Sequence, residues 1–138
     1  NIRYPACISN AVAVGSSTKA DGLSSFSNHS PLIDLLAPGE AITAGVPARS
    51  YRRRSGTAMA APHVAGAFAL LRSYDPNASV SQLQTALACS GEPIARSGVS
   101  RNRIDMRSAY QFLKHDMKGC TQADDASSPD WLPRHGWF

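Results

Sequence analysis

An α/β fold, a parallel β-sheet flanked by helices, follows from three features of this 138-residue sequence. Short, mainly apolar runs lie in its first third, a long helical stretch follows them, and glycine or proline closes each run. Strands buried on both faces are typical of parallel sheets, and strands followed by helices are typical of α/β domains. Two or three strands are too few for a sheet covered on both sides, so the chain reads as the second half of a larger domain.

Each element has its own signal. Ala11-Val12-Ala13-Val14, closed by Gly15-Ser16-Ser17, predicts a first buried strand. Leu32-Ile33-Asp34-Leu35-Leu36, closed by Pro38-Gly39, predicts a second, and Ala41-Ile42-Thr43-Ala44 a third, shorter one. From Thr57 to Tyr74 the period changes, and Met59, Val64, Phe68, Leu70 and Leu71 place apolar groups on every side of a helical wheel. A helix apolar all round is expected to be buried. Asp75-Pro76 stops it, because a residue before proline avoids helical angles. Ser79 or Ser81 then caps a helix through Leu87 and Ala88. A last helix is expected between Arg101 and Leu113, with Ile104, Ala109 and Phe112 inward. The domain is taken as residues 1–114, and 115–138, with no periodicity, as a C-terminal tail.

Composition narrows the classes. With 43% hydrophobic and 17% charged residues the chain suits a globular protein and excludes a collagen, a coiled coil or a wholly disordered segment. A net charge of +4 without a long basic face or basic–aromatic interleaving does not indicate nucleic-acid binding. Met59 to Leu71, broken by His63, is too short for a membrane span. Asn1-Ile2-Arg3-Tyr4-Pro5 lacks the pattern of a signal peptide, which leaves a cytosolic protein or a mature or internal fragment. Three cysteines, Cys7, Cys89 and Cys120, have no zinc spacing, and the odd number leaves at least one free or paired outside the chain.

Ser55-Gly56-Thr57-Ala58-Met59-Ala60-Ala61-Pro62-His63-Val64-Ala65-Gly66 carries the chemistry. A glycine turn feeds the N-terminus of a small-residue helix, where free N–H groups and the positive dipole end suit an anion or a developing oxyanion. A proline in the first turn removes no needed donor. A well-packed core helix with no chemistry is the plainer alternative.

This stretch resembles the nucleophile motif of subtilisin-like serine proteases, Gly-Thr-Ser-Met-Ala-x-Pro-His-Val-x-Gly, with Ala58 at the serine position. Tyr4-Pro5-Ala6, Asn10 to Gly15, Ser24-Ser25-Phe26-Ser27, Leu36-Ala37-Pro38-Gly39 and Arg101-Asn102-Arg103-Ile104-Asp105 resemble the same family in order and spacing. Residues 2 to 113 are covered, and the tail is not. The resemblance implies the C-terminal half of a catalytic domain whose triad runs Asp, His, Ser along the chain. Only the serine position falls here. The Asp, the His and the oxyanion-hole asparagine belong to an expected N-terminal fragment of the same protease.

The resemblance assigns further roles. Ala58 marks the nucleophile position and an oxyanion N–H, and Arg3, Tyr4, Pro5, Gly56, Thr57 and Met59 line the substrate cleft. His63 is expected to be a packed, hydrogen-bonded structural residue, because the family's base comes from another helix. Tyr4-Pro5 resembles a cis-proline turn, against an ordinary trans loop. Arg3 aligns with the floor of the primary specificity pocket, against a side chain in solvent. The carbonyls of Ala6, Ile8 and Ala11 with Asp34 correspond to a weak calcium or sodium site. Leu32 replaces a second carboxylate, so a tight calcium site is not expected, and no cofactor is required. Arg49, Arg52, Arg53 and Arg54 form a basic cluster, either a solvated loop or a surface favouring acidic residues. A Cys7–Cys89 disulfide is implied by analogy with proteinase K-like enzymes and, with the family, a secreted or periplasmic location. Trp131, Leu132, Trp137 and Phe138 are candidate anchors for a further subunit.

Two functions follow. One is a serine endopeptidase acting on peptides or proteins, with Ala58 as an engineered knockout. The other is a natural pseudoprotease that binds peptides or a partner subunit without cutting.

Overall fold

The computed structural model describes residues 4–8 and 10–115. Along the chain run β1 (Val14–Ser17), β2 (Leu35–Pro38), β3 (Ile42–Val46), β4 (Ser50–Arg54), α1 (Thr57–Tyr74), α2 (Val80–Ser90), β5 (Glu92–Arg96), β6 (Val99–Arg103) and α3 (Met106–Lys114). A four-stranded sheet has the order β1-β2-β6-β5, and β3 and β4 form a separate hairpin. β1 with β2 and β2 with β6 are parallel, while β5 runs antiparallel to β6. The expected α/β architecture with a parallel-rich sheet is present.

β2 is buried on both faces, as a central strand of such a sheet must be. Leu35 and Ala37 join the cluster formed by α1, α2 and α3, while Leu36 packs with Ile33 and Ile94 on the other side. The helices therefore cover one face, and loop residues such as Leu23 cover the second.

α1 has the expected bounds but not the expected burial. Ala60, Val64, Ala67 and Leu71, spaced at helical period, form one buried stripe. Ala61, Ala65, Gly66, Ala69 and Leu70 face outward and are exposed. The described residues supply β1, β2 and the other helices against one side of α1 and leave the other side exposed.

α2 starts at Ser79, whose Oγ accepts from the Gln82 N–H at 3.2 Å while Gln82 Oε1 accepts from the Ser79 N–H at 2.7 Å. This reciprocal box satisfies two otherwise orphaned donors. α3 starts at Asp105, which accepts from the Ser108 N–H at 2.8 Å.

Both first strands lie about one turn of chain later than their apolar runs. The reason is local bonding. Asp34 Oδ2 takes the Ala13 N–H at 2.6 Å, and strand pairing begins only at Val14 with Leu35. Ser16 and Ser17 then sit inside β1, where Ser16 Oγ bonds Ser24 Oγ at 2.8 Å and the Ser16 N–H bonds Ser27 Oγ at 2.9 Å. Residues 101–103, assigned to the approach of the last helix, are instead β6. The β5–β6 hairpin turns at Ser97-Gly98, both at positive φ, as two-residue hairpin turns require.

The outward apolar face of α1 generates a prediction. The 138 residues expressed alone are expected to bind a hydrophobic dye and to melt without a cooperative transition. A sharp calorimetric transition with no dye signal would show that this face needs no cover.

Candidate functional site

The site is built at the junction of β4, β2 and α1. Gly56 stands between β4 and α1 with φ 156° and ψ 159°. That region is open essentially to glycine alone, because a Cβ meets its own backbone there. The Gly56 N–H donates to the Gly39 carbonyl at 2.8 Å. Gly39, just past β2, allows this approach: a Cβ there would lie 2.7 Å from the Gly56 oxygen and 2.5 Å from Ser16 Oγ. The C-terminal ends of two sheet strands thus fix where α1 begins.

Gly56 provides no side-chain cap, and no acidic residue lies in the first turn of α1. The Met59 N–H is taken by the Gly56 carbonyl at 3.0 Å, while the N–H groups of Thr57 and Ala58 lie before any helical acceptor, so the helix start presents donors and a positive dipole end. Ala58 is the second residue of the helix and is exposed there. Thr57 and Met59 flank it, so Gly56, Thr57, Ala58 and Met59 form one continuous ledge. A serine at position 58 would carry its hydroxyl on that ledge.

Pro62 is the sixth residue of α1, not part of its first turn. It lacks the N–H that would have bonded the Ala58 carbonyl, so the proline does remove a helical bond at the site. His63 donates from Nδ1 to the Met59 carbonyl at 2.8 Å and is exposed. It is hydrogen-bonded as expected, but exposed among the described residues.

The remaining sequence candidates are more scattered. Tyr4–Pro5 is a cis peptide, and the Tyr4 side chain is largely exposed. Arg3, Cys120 and the aromatic positions Trp131, Leu132, Trp137 and Phe138 lie outside the described residues. Ile8 O accepts from the Ala11 N–H at 3.0 Å, and the Asp34 carboxylate is engaged with Ala13. Among the described residues no three His, Cys, Asp or Glu side chains come together to hold a metal.

The implied Cys7–Cys89 bridge is not formed. Cys7 is a free, exposed thiol, and Cys89 is disulfide-bonded, so its partner is a different sulfur. The two positions sit on separate parts of the fold, Cys7 in the turn before β1 and Cys89 in the last turn of α2. Sequence reasoning also missed β4. It carries Arg52, Arg53 and Arg54 and leads directly into Gly56, and three arginines in a row masked its strand character.

A family model described as the subtilase family matches residues 1–93. The chain belongs to the subtilase family. It is 50% identical over 74 residues to the major intracellular serine protease of Bacillus subtilis, a match covering 54% of this chain and 23% of that protein. It is 38% identical over 111 residues to thermitase of Thermoactinomyces vulgaris, covering 79% of this chain and 39% of that one. A crystal structure of a cold adapted subtilisin-like serine proteinase superposes with TM-score 0.64 at 37% identity, covering 72% of this subtilase chain and 37% of the other. The chain thus spans well under half the length of these relatives. No described helix is long and apolar enough to cross a membrane.

Gly39→Ala is expected to destabilise the protein by about 1–3 kcal/mol, since neither neighbouring backbone nor Ser16 has room to move. Gly45→Ala, with nothing within 4 Å of the added carbon, is the control. Thermal melts of the two variants in the full-length protein check this, and equal melting temperatures would contradict the role given to the Gly39–Gly56 contact.

Proposed function

We propose that this chain is the C-terminal portion of a subtilase catalytic domain, and that the ledge at Gly56–Met59 is where a peptide carbonyl is held. The observation that carries the reading is the exposed Ala58 at the uncapped start of α1, inside a motif that otherwise matches the family. Asp, His and an oxyanion side chain are proposed to come from an N-terminal part of the same protein. That part would also cover the outward face of α1.

In the serine form the reaction is peptide-bond hydrolysis. The hydroxyl of residue 58 would attack the carbonyl carbon while a histidine from the other half takes its proton and the N–H of residue 58 steadies the oxyanion. The histidine would return the proton to the amine as the C–N bond breaks, and water would then release the acid and regenerate the serine. With alanine the donor remains and the nucleophile is gone. Loss of that serine costs on the order of 10⁶ in turnover in a subtilisin. Arg3, Tyr4 and Pro5 are proposed for the wall of the specificity pocket, and Ala6, Ile8, Ala11 and Asp34 for at most a weak cation site. The disulfide at Cys89 supports an oxidising compartment, secreted or periplasmic.

A second reading is favoured by Ala58 itself. A natural pseudoprotease would keep the peptide-binding ledge and omit the cut.

Ala58→Ser in the full-length protein is expected to restore peptide cleavage and labelling by a fluorophosphonate at residue 58. A folded serine variant that neither cuts nor labels would remove the peptidase reading and leave the binding one.

A further inference from the structure

Among the described residues three arginines are engaged by the fold, Arg96 and Arg107 are single exposed residues, and four cluster on one hairpin. Arg72 donates to the carbonyls of Pro76 and Ala78, and Arg101 to those of Ile33, Pro31 and Ser100. Arg103 pairs with Asp21 at 2.8 Å. These three hold the fold together. The hairpin arginines do not: Arg49, Arg52, Arg53 and Arg54 are all exposed, and no carboxylate among the described residues pairs with them.

Their surroundings reinforce the charge. Residues 41–74, which include the whole hairpin and α1, contain no Asp or Glu. In β4, Arg52 and Arg54 share one face across from Ala44 and Ile42, and Arg53 lies on the other across from Thr43. Among the described residues no carboxylate offsets the mutual repulsion of the four guanidiniums, and the hairpin tip adds strain, because Ala48 and Arg49 both have left-handed φ, 68° and 53°. A surface loop chosen for stability alone would carry mixed signs.

The position gives the cluster a partner. Arg54 is four residues before Ala58, so at most about 14 Å of backbone separates them. An extended peptide advances about 3.3–3.6 Å per residue. Side chains within about four residues of the bond lying over Ala58 therefore come within reach of the guanidiniums of β4.

We propose that the β3–β4 hairpin is an electrostatic specificity surface that selects peptides with Asp or Glu within four residues of the scissile bond, on one flank of it. This rests on the peptide-binding reading of the Gly56–Met59 ledge. Exposed charge pairs are individually weak, so two or three of them together give about a 5- to 50-fold preference that salt reduces.

The test uses the full-length protein in two forms. The Ala58→Ser form digests a proteome-derived peptide library, and the residues around each cut are read by mass spectrometry. The Ala58 form is titrated with fluorescein-labelled peptides, one neutral and one carrying two Glu, and with a 20-base-pair DNA duplex. The expected result is enrichment of Asp and Glu on one flank of the cuts, and tighter binding of the Glu peptide, both reduced several-fold by 0.3 M NaCl. Combined Arg52→Ala, Arg53→Ala and Arg54→Ala should bring the acidic-to-neutral ratio to about one, whereas the three Lys replacements retain most of it.

Cuts without acidic enrichment, or an enrichment that survives the Ala replacements, overturn the proposal and leave the peptidase reading standing. No cuts, with arginine-dependent binding of the Glu peptide, support the surface and remove the peptidase reading. Failure of both cutting and peptide binding overturns both. DNA bound as tightly as the Glu peptide through the same arginines overturns the proposal in favour of a general polyanion surface.

Discussion

The contact between Gly39 and Gly56 is the constraint on which the rest of this structure depends. It ties the turn after β2 to the turn before α1, backbone to backbone, with Ser16 of β1 packed against the same point. The sheet is thereby locked to the start of the helix whose first residues form the candidate site. A side chain at either glycine would separate them, at Gly39 by collision and at Gly56 by its dihedral angles. The candidate ledge is therefore not a flexible loop feature. It is the end of a rigid helix set against the ends of two parallel strands, the region where open α/β sheets generally bind their ligands.

Burial and charge divide the same segment into two tasks. One stripe of α1 anchors it to the sheet through Ala60, Val64, Ala67 and Leu71. The opposite side is apolar and small, and its start is uncapped and free of acids. Next to that start stand the exposed arginines of β4, with which no carboxylate among the described residues pairs. Helix dipole and guanidiniums both favour negative charge close to Ala58, one through oriented N–H groups and the other through mobile side chains. The two effects are separable in principle, because salt screens exposed arginines far more than it screens a helix terminus at contact distance.

What the sequence made legible was what local chemistry controls. The bounds of α1 follow from its glycine turn and from Asp75-Pro76, and the Ser79–Gln82 box announces α2. The Gly56-to-Gly66 motif pointed to the family. Less legible was whatever depends on a pairing partner. β1 and β2 start later than their apolar runs because Asp34 occupies the Ala13 N–H before the ladder begins. β4 and β6 hide behind arginines, although Ser97-Gly98 was a hairpin signal that went unread. The outer face of α1 is exposed although its wheel is apolar, because an apolar wheel says nothing about which segment covers it. The Cys7–Cys89 pairing failed for a similar reason: disulfide connectivity follows from three-dimensional position, and Cys7 is free.

The most direct test of the ledge is the amide resonance of Ala58 in the full-length protein, selectively labelled with ¹⁵N-alanine and titrated with a peptide ending in a free carboxylate. The account predicts that the Ala58 signal moves and saturates along the same binding curve as the peptide's own fluorescence anisotropy, because its N–H takes up the carboxylate oxygen. A peptide that binds while the Ala58 amide stays unmoved would contradict it.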